Sequence, residues 1–434
     1  MKILLITAEE WNDCVYGNGV LTNWFTGMDA EFAQIYTSPG LPNNEICHKY
    51  FQLDEMQMAK SLFTKHKAGH EVKNLFGKGK NDASNSNAQR KGIYGFFKKL
   101  TMRMRNPVIM LQDLIWATGR YDKKTLQTFV DDFHPDIVFC PQLGNPKLWR
   151  LERTVKQMTN APFVAFTGDD EASYEQVSYS PLFWIRRWYC HRGLRKAVKL
   201  FSHYFMHSAE QARDYTLNYG VPASTLYKCG NFEKSFIAKP VGTPIRMVYA
   251  GRLYCNRWKT LAEIGKALHE INRNGECMVL DIYTQEILTK EQRKALSPEN
   301  SVYVRGSVNV QQLKEIYQQA DIALHVESMD KKNRLATRVS FSTKIIDLMA
   351  SSCAILAVCW NRHCGYQYLR ENDAAFCIDN YQDIYGSLKR ICDNPELVKE
   401  YAQKAYYCGQ RNHTRGKIQN QILAKFEEVI ASCK

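Results

Sequence analysis

Lys344 and Asp347 follow Ser342 and Thr343 at the start of the run Ile345-Ile346-Asp347-Leu348-Met349. On a helix, a spacing of three sets the cation and the carboxylate on one face. Ser342 or Thr343 supplies a natural N-cap. A lysine in the first turn points positive charge at the positive end of the helix dipole, where an acidic side chain would be favoured, so an anion belongs beside it. Free amides at a helix start bind phosphate. The group therefore suits a nucleotide sugar, with Ser342, Thr343 and Lys344 on the diphosphate and Asp347 on sugar hydroxyls. A capped helix with an exposed lysine is the plain alternative.

Two further groups carry chemistry. Phe166-Thr167-Gly168-Asp169-Asp170-Glu171 ends a strand in three consecutive carboxylates. Adjacent side chains cannot share one direction, so Asp169 or Asp170 is expected to meet an acceptor hydroxyl, as a contact or as a base. Gly17, Asn18 and Gly19 form a tight cleft loop after the first strand, with amides free to face a ligand.

The elements that must hold these groups alternate between strand and helix. Apolar runs at Ile3–Ile6, Phe32–Tyr36, Asp136–Cys140, Phe163–Phe166 and Leu200–His203 read as buried parallel strands. Leu126, Phe129, Val130 and Phe133 fall at helical spacing before Pro135. After a Pro-bearing connector, Lys239–Pro244, the alternation restarts at Ile245–Ala250, Val279–Tyr283, Val302–Val304, Ile322–Val326, Ala354–Val358 and Ala374–Ile378. Ile322–Val326, a polar loop, the helix after Lys344 and Ala354–Val358 make one βαβ unit, with the helix mouth at the carboxyl edge of the sheet. This pattern predicts two Rossmann-like domains with a hinge near 235–244. Residues 1–238 are the first and 239–410 the second. Residues 411–434 form a last helix, with Ile418, Ile422, Phe426 and Ile430 as an apolar stripe that must cover something, expected to pack back toward the first domain.

With 434 residues the chain exceeds one core. Its fourteen cysteines show no CxxC pair and read as reduced thiols. The segment Cys359 to Cys364 lacks a second ligand pair, so no metal is expected. No apolar run is long enough for a membrane span, and Met1–Thr7 meets Glu9 and Glu10 too soon for a signal segment. The formal charge is +14. Between residues 65 and 124 fourteen cations face four carboxylates, so a net of 14 − 4 = 10 of that excess sits in one basic insertion. There Gly77–Gln89 reads as a mobile loop, and Ile93–Trp116 mixes apolar, aromatic and basic residues. Such a segment lies either on an anionic leaflet or as a basic helix packed on its own domain. Arg186–Lys199 poses the same choice. No nucleic-acid recognition module is present.

Two Rossmann-like domains, a Gly-Arg after the first strand of the second and a Ser-Thr-Lys helix mouth near its end resemble the GT-B glycosyltransferases, two Rossmann-like domains facing a central cleft. The second domain resembles the retaining glycosyltransferase family 4 of bacterial capsule and O-antigen synthesis. The resemblance implies that Arg252, with Arg257 or Lys259, neutralises the departing diphosphate, and that Asp347 holds the ribose. The family pattern has two glutamates eight residues apart. Val339 stands at the first position, so Glu327 is expected to substitute for it or else to be structural, like His325. Arg305 and Gly306 stand where relatives hold the base. The implied activity is transfer from a nucleotide-diphosphate sugar to a lipid-linked or saccharide acceptor, retaining, with no metal or cofactor, by a cytoplasmic protein peripheral on the inner face of the cell membrane. A GT-B epimerase or a non-catalytic partner of an assembly complex are the alternatives.

Overall fold

The computed structural model describes residues 1–15, 19–76, 105–141, 145–170, 172–232 and 235–433. They divide into two compact units, one of residues 1–174, 178–226 and 419–434, the other of 175–177 and 227–418. Gly17 and Asn18, the loop Gly77–Gln89 and the cations from Arg90 to Arg103 lie outside the described residues.

The first unit is built on β1 (Lys2–Thr7), β2 (Glu31–Tyr36), β3 (Lys49–Gln52), β4 (His70–Val72), β5 (Ile137–Pro141), β6 (Phe163–Thr167), β7 (His203–Met206) and β8 (Ala223–Thr225). Their order is β4-β3-β2-β1-β5-β6-β7-β8, parallel apart from the β3–β4 pair. Runs such as Ile3–Ile6 and Phe163–Phe166 are buried throughout, as strands covered on both faces require. The strand expected at Leu200 starts at His203, three residues later than the apolar run suggests, because Val198–Leu200 closes the preceding helix as a 3₁₀ turn. Phe426 of the last helix is fully buried and packs on Phe139 and Phe205, so the end of the chain belongs to this unit. The buried stripe ends on Val429 rather than Ile430.

The second unit holds β9 (Ile245–Ala250), β10 (Met278–Tyr283), β11 (Val302–Gly306), β12 (Ile322–Val326), β13 (Ala354–Val358) and β14 (Phe376–Ile378). All pairs are parallel, in the order β11-β10-β9-β12-β13-β14. The order reverses between β9 and β12, and in such sheets ligands bind at the carboxyl ends of the strands flanking the reversal. Gly251 leaves β9 there, and Glu327 leaves β12. The stretch between β12 and the helix Lys344–Met349 is not only loop. Asp330 accepts the Asn333 amide at 3.0 Å and starts the helix Lys331–Thr337, a cap that the polar composition concealed.

Candidate functional site

The turn after β9 is fixed from beneath. Tyr249, buried, donates its hydroxyl to the Arg252 carbonyl at 2.6 Å, and the Gly251 amide donates to the Tyr283 carbonyl at 2.9 Å. Lys344 Nζ donates to the Ala250 carbonyl at 3.1 Å. A Cβ on Gly251 would stand 2.5 Å from that ammonium, so glycine is what admits Lys344 to the strand end.

Cys255 and Asn256 take left-handed φ of 55° and 59° and swing the chain into the helix Arg257–Ile271. Arg257, its first residue, makes a bidentate pair with Glu327, Nε to Oε2 at 2.9 Å and Nη2 to Oε1 at 2.6 Å, and lies 4.6 Å over the Tyr254 ring. Burial alone would pull the guanidinium pKa down, but the carboxylate opposite more than offsets it and the net shift is upward. Glu327 is anchored through its backbone as well: its amide reaches the Val358 carbonyl at 3.2 Å and its carbonyl accepts Thr260 Oγ1 at 2.8 Å. Nearby, burial would raise the Asp330 pKa, but bonds from Ser328, Asn333 and Asn256 hold it down at about 2.

Lys344 feels this group. Burial first, then Arg257 and Arg252, lower its pKa, while Glu327 and Asp347 oppose them. Excess positive charge around a lysine at the switch point is an arrangement that an anion relieves. Asp347 is half exposed and meets Lys228 Nζ at 2.8 and 3.0 Å, a partner that sequence spacing could not show across 119 residues.

Several expected contacts are absent or different. Thr343 occupies the N-cap position but has helical backbone angles and makes no side-chain cap bond. Lys259 is exposed and lies 5.5 Å from the Trp258 ring, outside the Arg257–Glu327–Lys344 group. Arg305 pairs with Asp281 at 2.6 Å and covers the Tyr303 ring at 4.6 Å. Gly306 takes φ 87° where the β10–β11 register shifts. In the first unit Gly19 adopts φ 42° at the start of the helix Val20–Phe25, a turn that favours glycine. Asp170 is held by Arg187 Nη2 at 2.6 Å and by the Ser173 hydroxyl at 2.6 Å, with its side chain almost wholly buried. Asp169 is exposed, and its carbonyl accepts Gln211 Nε2 at 3.0 Å.

Behind the ion pair, His325, Cys359 and His363 are buried with ligand atoms within 4.8 Å of one another. Nδ1 of His363 accepts the Gly365 amide at 3.1 Å, which puts the proton of its neutral ring on Nε2. That nitrogen is then a donor, not a lone pair for an ion. The sequence brings Cys359 and His363 together but gives no sign of His325, which the fold supplies from β12. The cysteines are all free thiols.

Residues 250–424 match the family described as glycosyl transferase-like. The match spans 175 of the 434 residues, in the second unit and the start of the last helix, and it makes this part of the chain similar to glycosyl transferases. The architecture of the chain is that of the GT-B fold. Sucrose-phosphate synthase from Thermosynechococcus elongatus superposes with a TM-score of 0.60 at 11% identity, over 100% of each chain. The Anabaena HepE protein in complex with UDP does so at 0.60 and 12%, over 99% of this chain and 100% of that one. TarM aligns at 0.53 and 14%, over 71% of this chain and 58% of its own length, so this chain spans less than two thirds of TarM. At these identities the likeness shows the fold alone. A search of curated protein sequences finds no match.

Proposed function

We propose that this protein is a glycosyltransferase that moves a sugar from a nucleotide-diphosphate donor to a lipid-linked or saccharide acceptor, with retention of anomeric configuration, in the synthesis of a bacterial surface polysaccharide. The observation that carries the donor half is the convergence of Lys344, Arg257 and Glu327 at the switch point, with Gly251 opened to admit the ammonium. In the reaction the bond from the sugar's anomeric carbon to the diphosphate breaks and one to the acceptor oxygen forms, while the acceptor proton leaves. Negative charge grows on the departing diphosphate. Lys344 and Arg252 meet that charge, and Arg257 offers Nη1, because Nε and Nη2 are taken by Glu327. In this reading Glu327 positions Arg257. Asp347 accepts ribose hydroxyls while shared with Lys228, and Arg305 and Gly306 line the base through backbone groups. Asp169 rather than Asp170 takes the acceptor hydroxyl, because Asp170 is committed to Arg187.

These cations supply the charge that a divalent ion supplies in other transferases. The test is calorimetric titration of nucleoside diphosphates across the bases, followed by a turnover assay with the sugar donors of whichever base binds. Tight binding of one nucleoside diphosphate supports the reading. Failure of every nucleoside diphosphate to bind contradicts it.

A further inference from the structure

The helix Pro181–Ala197 leaves one stripe exposed along its length, and the composition of that stripe changes in order. Leu182 and Ile185 come first, then Trp188 and Tyr189, then Arg192, Arg195, Lys196 and, in the turn beyond, Lys199. Ile185 and Trp188 are each about half exposed, at 52% and 53%. The neighbouring helix Arg105–Thr118, joined to it by Asp113 and Arg186 at 3.3 Å, exposes Leu111 and Leu114, both at 57%. Aliphatic, then aromatic, then cationic is the order of a bilayer read from acyl chains through the interface to the headgroups. At a rise of roughly 1.5 Å per residue, Leu182 to Trp188 spans about 9 Å, within the depth that interfacial helices reach.

We propose that this face seats on a leaflet containing anionic lipid, with the first half of the helix in the interface and the cations on the headgroups. This deepens the acceptor reading above by naming the surface on which a lipid-linked acceptor is met, but it stands on its own residues. Charge decides the occupant. A second copy of a chain with net charge +14 would bring like charge to the basic half of the stripe, whereas an anionic leaflet complements it.

The experiment is vesicle sedimentation of the full chain, with neutral and with anionic vesicles at low and at physiological salt, and nucleoside diphosphate binding measured on the same preparations. The parent is expected to sediment with anionic vesicles and to release as salt rises. Ile185→Ser with Trp188→Ser should lose at least roughly tenfold in partition. Replacing Arg192, Arg195, Lys196 and Lys199 by Gln should lose more, roughly fivefold per cation close to the surface. Both variants should bind nucleotide as the parent does. Equal partition onto neutral and anionic vesicles, no partition of the parent, or a dimer that Ile185→Ser with Trp188→Ser dissolves would each overturn the proposal. Because the parent is tested first and the Gln variant changes only exposed side chains, the proposal stands or falls on those two even if the serine variant misfolds. Loss of nucleotide binding in the parent would fault the donor reading, not this one.

Discussion

Arg257 and Glu327 hold each other in a two-bond fork at 2.6 and 2.9 Å, the cation at the first turn of the helix after β9 and the carboxylate just past the end of β12. The two strands flank the point where the sheet order reverses, so this pair ties together the walls of the site. A carboxylate already bound on both oxygens by a neighbouring arginine is a poor nucleophile or base. It is well placed to aim the remaining guanidinium nitrogen.

Glu327→Gln is therefore expected to cost donor affinity as well as turnover, each by about tenfold, because the amide cannot hold the fork and Arg257 drifts. Steady-state kinetics with saturating acceptor separates the two. A collapse in kcat with donor KM unchanged would mean that Glu327 acts on the reacting sugar itself.

The two adjacent aspartates of the first unit should part in behaviour. Asp170→Ala leaves the buried Arg187 without its counter-charge and is expected to remove about 3 kcal/mol of stability. Asp169→Asn changes an exposed group and should leave the unfolding midpoint in place while lowering turnover. Denaturant unfolding of both variants beside the parent checks this, and equal stability losses would contradict it.

Acid should weaken both units through buried imidazoles. Burial first, then Lys425 beside His203 and Lys417 beside His413, bring each ring from 6.5 down to about 4, with Glu428 opposing at His203. Between those values the unfolded chain holds protons that the folded one refuses. Stability is thus fully present above pH 6.5 and falls as pH drops toward 4. At pH 5 the difference is 6.5 − 5 = 1.5 units, about 2 kcal/mol per ring. Urea unfolding at pH 7.5 and 5 should show the loss, and His413→Gln should shrink it. A pH-independent midpoint would contradict the burial of these rings.

Gly251→Ala probes the approach of Lys344. The added Cβ meets the far end of the Lys344 side chain at 2.5 Å and Tyr249 Oη and Cζ at 3.0 and 3.2 Å, so the ammonium shifts off the Ala250 carbonyl and the tyrosine gives by a few tenths of an ångström. Nucleoside diphosphate affinity should fall severalfold with the thermal midpoint nearly unchanged. Parental affinity would show that the ammonium's seat on the strand does not matter.

The sheets are legible because parallel strands buried on both faces write themselves as apolar runs: the run at Ile3 falls within β1, and those at Phe163, Ile245, Ile322 and Ala354 fall where β6, β9, β12 and β13 begin. The short strands carry no such run: His70–Val72 and Ala223–Thr225 at the two edges of the first sheet, and Lys49–Gln52 beside the first of them, leave no mark in the sequence pattern. The site is legible in its residue types and less so in its pairings. Lys344 and Arg257 can be chosen from position after a strand or at a helix mouth. That Glu327 closes on Arg257, Asp347 on Lys228 and Asp170 on Arg187 depends on contacts 70, 119 and 17 residues apart, which spacing does not encode. The Thr343 cap fails for a local reason: its backbone is already helical rather than extended, and its hydroxyl makes no bond to the first-turn amides.

The central claim is that Lys344 is the counter-charge for a diphosphate. Titrating a nucleoside diphosphate and its parent nucleoside into the wild-type chain and Lys344→Ala tests it most directly. The account predicts that the variant loses at least about tenfold in affinity for the diphosphate and keeps its affinity for the nucleoside. Equal losses for both ligands, or none for either, would contradict it.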